Sequence, residues 1–146
     1  MDSEDFRRAR DLAAWILFAA AVVFVVIGAW ELLGLPRAPF PASSFRLRSL
    51  SAVGYLTTFE VTALPVAAVL LVTFVGRPAA TAWHLTLAAV VVQAVALGLG
   101  LIAWAASLSG GVLVSGWYSL SRAAELAVAA AGLILTAAVL RSRVSR

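Results

Sequence analysis

Four long apolar runs, about 12–35, 50–75, 79–106 and 117–140, hold most of the chain's apolar side chains, with short polar breaks between them. A hydrocarbon layer about 30 Å thick is crossed by roughly 20 helical residues, so each run is long enough to span it once. Helices are the only spanning elements that fit. Lipid cannot satisfy exposed backbone groups, and the runs lack the alternation of a barrel strand. At 146 residues, with 63% apolar and 12% charged side chains, the chain is too hydrophobic to hide its apolar surface in a soluble core. The expected fold is an all-α integral membrane four-helix bundle, a single domain over residues 1–146, running up-down-up-down with both termini on the same side.

The segment MDSEDFRRARD before the first run has the charge of a signal-peptide n-region. The run that follows is about twice the usual ~7 to 15 residue apolar region, and no clean A-x-A site comes after it, so it reads as an uncleaved first span.

Arginine placement orients the bundle. Arg7, Arg8, Arg10, Arg77, Arg141, Arg143 and Arg146 flank the spans on the side of the termini, against Arg37, Arg46 and Arg48 on the other. The richer side is expected to be cytoplasmic. Aromatic positions agree: Trp15 and Trp83 fall near the inner boundary, and Trp30, Tyr55, Trp104, Trp117 and Tyr118 near the outer one, as interfacial belts. All eleven basic residues are arginine, and Lys, Asn and Cys are absent, a bias that fits a GC-rich bacterial source and so the bacterial inner membrane. The pI of about 11.1 would point to nucleic acid in a soluble protein. Here the arginines sit at span ends, where lipid headgroups are the expected partners and nucleic acid is not.

The segment 36–49, PRAPFPASSFRLRS, reads either as a stretch lying along the outer headgroups or as a solvated connector, and 107–116 as a flexible glycine-rich connection. A weak internal repeat aligns AWILFAAAVVF (14–24) on AWHLTLAAVVV (82–92), and LTTFEVTAL (56–64) on SRAAELAVA (121–129). It would make the chain two hairpins of one orientation and place Glu60 opposite Glu125.

Ionisable groups inside spans cost about 2.5 to 3.5 kcal/mol each on the insertion scale, so each needs a reason. Glu60 in span 2 and Glu125 in span 4 come to similar depth. Arg122 shares a helix face with Glu125 three positions on. Thr57 is placed on the Glu60 face, and Gln93 in span 3 is within reach of the same region. If spans 2 and 4 pack together, Glu60, Arg122, Glu125, Gln93 and Thr57 form one polar cluster. It then acts either as a buried network fixing helix register or as a proton or cation relay. Pro65 lacks an amide hydrogen and crowds the Val61 carbonyl, so a helix kink is expected beside Glu60.

Small residues at four-residue spacing, Ser119, Ala123, Ala127 and Ala131 in span 4 and Ala94 and Gly98 in span 3, allow close helix approach within the bundle or between protomers. His84 is the only histidine and Met1 the only methionine, so no ligand set for haem or zinc is readable, and no cofactor or metal is expected. No nucleophile with a base and no phosphate-binding glycine loop appears either. The expected function is therefore non-enzymatic: an accessory or scaffold subunit working through helix packing, with another membrane protein or further copies of itself as partner. The competing expectation is a small proton- or cation-coupled transporter or channel subunit using the Glu/Arg cluster.

Overall fold

The structure, a computed structural model, describes residues 3–34, 44–75, 81–108 and 116–144. They form five helices: α1 (Ser3–Leu33), α2 (Phe45–Leu56), α3 (Phe59–Phe74), α4 (Ala82–Leu108) and α5 (Gly116–Val144). α2 and α3 together make the second span, and all four spans are long and apolar enough to cross a membrane. The protein is an up-down-up-down four-helix membrane bundle with both termini at one end, here called the terminal end.

Local chemistry sets the ends of the helices. α1 carries Glu4 and Asp5 in its first turn, where the positive end of the helix dipole favours acids. It stops at Gly34, whose φ of +65° is open to glycine and strained for other residues. The Gly34 amide closes the turn on Trp30 O at 3.2 Å. α2 starts after Ser44, whose side chain accepts from the Leu47 amide at 3.4 Å. Residues 45–49, read from the sequence as part of a connector, thus begin the second span. Residues 36–43 of that connector, 76–80 and 109–115 lie outside the described residues.

Spans 2 and 3 occupy the middle of the bundle and spans 1 and 4 flank it. α1 packs mainly on α2 and α3, whereas α5 packs on α4 and α3. Accordingly 44% and 33% of the most apolar stretches of spans 2 and 3 are buried, against 22% for each of the flanking spans. Near the terminal end Ala14, Ala68, Val72, Ala82 and Leu85 form one apolar cluster; a second, toward the far end, includes Val25, Val53, Leu56, Val61 and Ala96. Because lipid tails are as apolar as the core, this packing draws on close van der Waals fit rather than on expulsion of water. Alanine suits that fit: Ala14, Ala52, Ala68, Ala82, Ala89 and Ala103 are fully buried. At Gly132 a Cβ would come within 2.4 Å of Thr62 Cγ2, so α5 meets α3 closely through a position with no side chain.

The two clusters also fix levels. Ala14 packs with Ala82 and Leu85, which brings the exposed Trp15 and Trp83 to one level near the terminal end. Trp30 and Trp117 are exposed near the far ends of α1 and α5, and Trp104 is half-buried. Of the small-residue stripes, Ala127, Ala131, Ala94 and Gly98 face out of the bundle, with Ser119 and Ala123 half-buried. The packed face of α5 is built on Leu126, Gly132 and Thr136 instead.

Candidate functional site

The polar residues inside the spans are organised by a break in span 2. α3 runs as one helix from Phe59 to Phe74 with Pro65, the expected kink position, buried inside it. The helix is interrupted eight residues earlier, at Thr57 and Thr58. Thr57 ends α2 with φ −112° and ψ 4°, and Thr58 is extended at φ −61° and ψ 150°. Threonine suits such a joint because its hydroxyl can replace a backbone partner. Both the amide and the hydroxyl of Thr57 turn back to Val53 O, at 3.1 and 2.8 Å.

Opposite this joint stands Glu125 on α5. Its Oε2 is 2.7 Å from Thr57 Oγ1 and 2.5 Å from Arg122 Nη1. Thr57 has one hydroxyl proton for two acceptors, Val53 O and Glu125 Oε2, and so shares it between the joint and α5. The Arg122 guanidinium also lies 5.2 Å above the Tyr118 ring, so one turn on either side of Arg122 supplies an anion and a π face. The pair is partly open, with side chains 21% and 35% exposed for Arg122 and Glu125. Beside it lies a cleft of about 180 Å³ between α3 and α5, lined by Thr57, Phe59, Thr62, Ala124, Glu125 and Val128.

Further toward the terminal end, a second polar set joins three spans. Gln93 on α4 is buried; its Nε2 donates to Thr62 O at 3.2 Å, and its Oε1 accepts from Thr136 Oγ1 on α5. Thr62 O adjoins the Val61 carbonyl, whose helical donor is missing because residue 65 is proline. Gly132 leaves the space in which these groups meet, since a Cβ there would also lie 3.7 Å from Gln93 Nε2.

The five residues expected to cluster are thus divided three ways. Thr57, Arg122 and Glu125 meet. Gln93 belongs to the separate set with Thr62 and Thr136. Glu60 joins neither: it is exposed in the first turn of α3, facing out of the bundle. The expectation that Thr57 and Glu60 share a face fails for a physical reason. It assumes one helical period through residues 57–60, and the extended Thr58 resets that period. The aligned pair Glu60 and Glu125 accordingly have different surroundings, and the break in span 2 has no counterpart in the continuous α5.

Two arginines counted only as orienting charges have specific places. Arg10, 5% exposed, donates from Nη1 to Val75 O at the end of α3 and pairs with Asp11 at 2.8 Å. Arg48 lies against Gly34, its Nη1 3.5 Å from Leu33 O at the end of α1. Each sets a cation at the negative end of a helix of opposite direction. The signal in the sequence was an arginine within a turn of the level at which a neighbouring span ends. His84 is exposed beside Trp83 in the first turn of α4.

No family model, curated protein or solved structure matches the chain.

Proposed function

We propose that the protein is a non-enzymatic accessory or scaffold subunit of a bacterial cell membrane, acting through helix packing, with both termini cytoplasmic. The observation that carries this reading is how the intramembrane polar groups are used. Arg122, Glu125 and Thr57 tie α5 to the joint of span 2, while Gln93, Thr62 and Thr136 tie spans 2, 3 and 4 together. Hydrogen bonds of this kind set the rotation and level of one helix against the next, which is what a scaffold requires of a small bundle. The broad apolar faces left on α1 and α5 are available for lipid or for a larger assembly. The arginine excess at the terminal end supports the orientation.

The test is purification of the tagged full chain from its native membrane in mild detergent. Stoichiometric co-purification of another membrane protein is the expected result. Recovery as a lone species over a range of gentle detergents would overturn the reading.

A second reading, a small proton- or cation-coupled transporter or channel subunit, is favoured by the cleft in which Glu125 stands beside Thr57 and Thr62. Proton or cation flux in liposomes that Glu125→Gln abolishes would establish it, and flux-free wild-type liposomes would remove it.

A further inference from the structure

Glu60 is residue 16 of the 30 in the second span, 15 positions after Phe45 and 14 before Phe74. At about 1.5 Å per residue it stands about 20 Å from either end, near the middle of the hydrocarbon layer. Its side chain nevertheless faces outward. The outward face of α3 is continuous: Glu60, Ala67, Leu70 and Phe74 are exposed and Ala63 half-buried, while Val61, Thr62, Pro65, Ala68, Val69, Val72 and Thr73 make the packed face. A carboxylate at this depth is expected to face a bundle interior, a water-filled cavity or a partner. Among the described residues, Glu60 is exposed rather than buried in the bundle, and it does not line the cleft beside Glu125.

We propose that the Glu60 face of α3 docks a transmembrane helix of another membrane protein, and that this helix carries an arginine or lysine at mid-membrane level. The inference rests on the accessory-subunit reading and names the chemistry of its partner. Three observations converge on it. The positive end of α3 favours negative charge at its first turn, so the position is built for an anion. Ala63 and Ala67, four residues apart and just below Glu60, let a helix approach closely on that same face.

The third observation concerns charge and distinguishes a foreign helix from a second copy. Among the described residues, this chain has no cation at the Glu60 level. Arg46 and Arg48 are in the first turn of α2, and Arg7, Arg8 and Arg10 are in the first eight residues of α1. Arg122 is engaged by Glu125 and Tyr118. Thr57 marks the Glu125 level, Glu60 lies three residues to one side of it and Arg122 three to the other, so the two differ by about 9 Å along the bundle. Two copies meeting in parallel through this face would set Glu60 against Glu60.

The test uses the purified full chain in phosphatidylcholine vesicles. The sequence has no cysteine, so a single S145C substitution takes an acceptor dye cleanly. The probe is a donor-labelled single-span leucine/alanine helix with arginine at its centre, and the control helix has leucine there. Energy transfer is expected to half-saturate at a peptide-to-lipid ratio about tenfold lower for the arginine helix. Glu60→Gln should erase that preference. Glu60→Arg should transfer it to a helix with a central glutamate, a gain that misfolding could not produce. Equal association of the arginine and leucine helices with the wild type would overturn the proposal, as would a Glu60→Arg chain indifferent to the glutamate helix. Peptide-free transfer between labelled copies that Glu60→Gln abolishes would assign the face to a second copy and overturn it too. A chain that recovers no partner from its native membrane sinks the accessory reading separately, whichever helix it prefers in vesicles.

Discussion

Replacing Glu125 by glutamine removes the anion from the Arg122 pair while keeping nearly the same shape, and its cost can be bounded from the geometry. A fully buried pair broken on one side loses about 3–5 kcal/mol, because the remaining charge is left without compensation. An exposed pair loses about 0–1 kcal/mol. Arg122 and Glu125 are 21% and 35% exposed, which puts them between these limits. Thr57 keeps Val53 O as an acceptor at 2.8 Å, so its hydroxyl is not orphaned. Arg122 keeps the Tyr118 ring and has a long stem that lets its head move toward the far end. The expected loss is therefore about 1–2 kcal/mol. Arg122→Met should lose a similar amount, since it leaves Glu125 with Thr57 alone. The double variant should lose less than the two added together, by about 1 kcal/mol, because neither charge is then stranded. Unfolding in mixed micelles, followed by the chain's own five tryptophans, gives the three free energies. Losses that add to within about 0.3–0.5 kcal/mol would show the two residues to be energetically independent and would refute the reasoning.

Other substitutions probe the backbone. Gly132→Ala should destabilise the bundle by about 1–3 kcal/mol, because its Cβ would come within 2.4 Å of Thr62 Cγ2. Thr62→Ser, which removes that methyl, should recover most of the loss in the same micelle titration, and no recovery would mean that the clash lies elsewhere. Gly34→Ala should lose about 1–2 kcal/mol from the left-handed backbone at φ +65°, the guanidinium of Arg48 being free to shift aside. Arg10→Gln should speed amide exchange in the last turn of α3 near Val75 more than in α4, since it removes a cation from that helix end. Finally, single cysteines introduced at Ser3 and Ser145 should both be shielded from a membrane-impermeant thiol reagent in intact cells and labelled after lysis. Labelling of either one in intact cells would reverse the proposed orientation.

Number and direction of the spans were legible in the sequence because they depend on one-dimensional quantities. A run's length against the hydrocarbon thickness decides whether it crosses, and the breaks between runs decide the order. The exposed tryptophans near the span ends follow from the same logic. Candidate polar residues could be identified for a related reason: a charged group in an apolar run is conspicuous whatever it faces. Arg122 and Glu125 were paired correctly because three residues along an unbroken helix return to the same side.

Which residues shared a site was decided by tertiary structure. Helical periodicity predicts faces only while the helix continues, and a two-residue break at Thr57 and Thr58 turned Thr57 inward and left Glu60 outward. In the sequence Pro65 stands out as a kink, whereas Thr57 and Thr58, where the helix is interrupted, do not. Gln93 could not be assigned from spacing either. Its partners Thr62 and Thr136 lie 31 and 43 residues away and come within reach only where Gly132 lets α5 close on α3. Composition and length thus determined that this chain crosses a membrane four times. Which of its polar groups hold the helices together, and that Glu60 is left to face something outside, depended on the azimuth of each helix, which hydropathy along one chain does not encode.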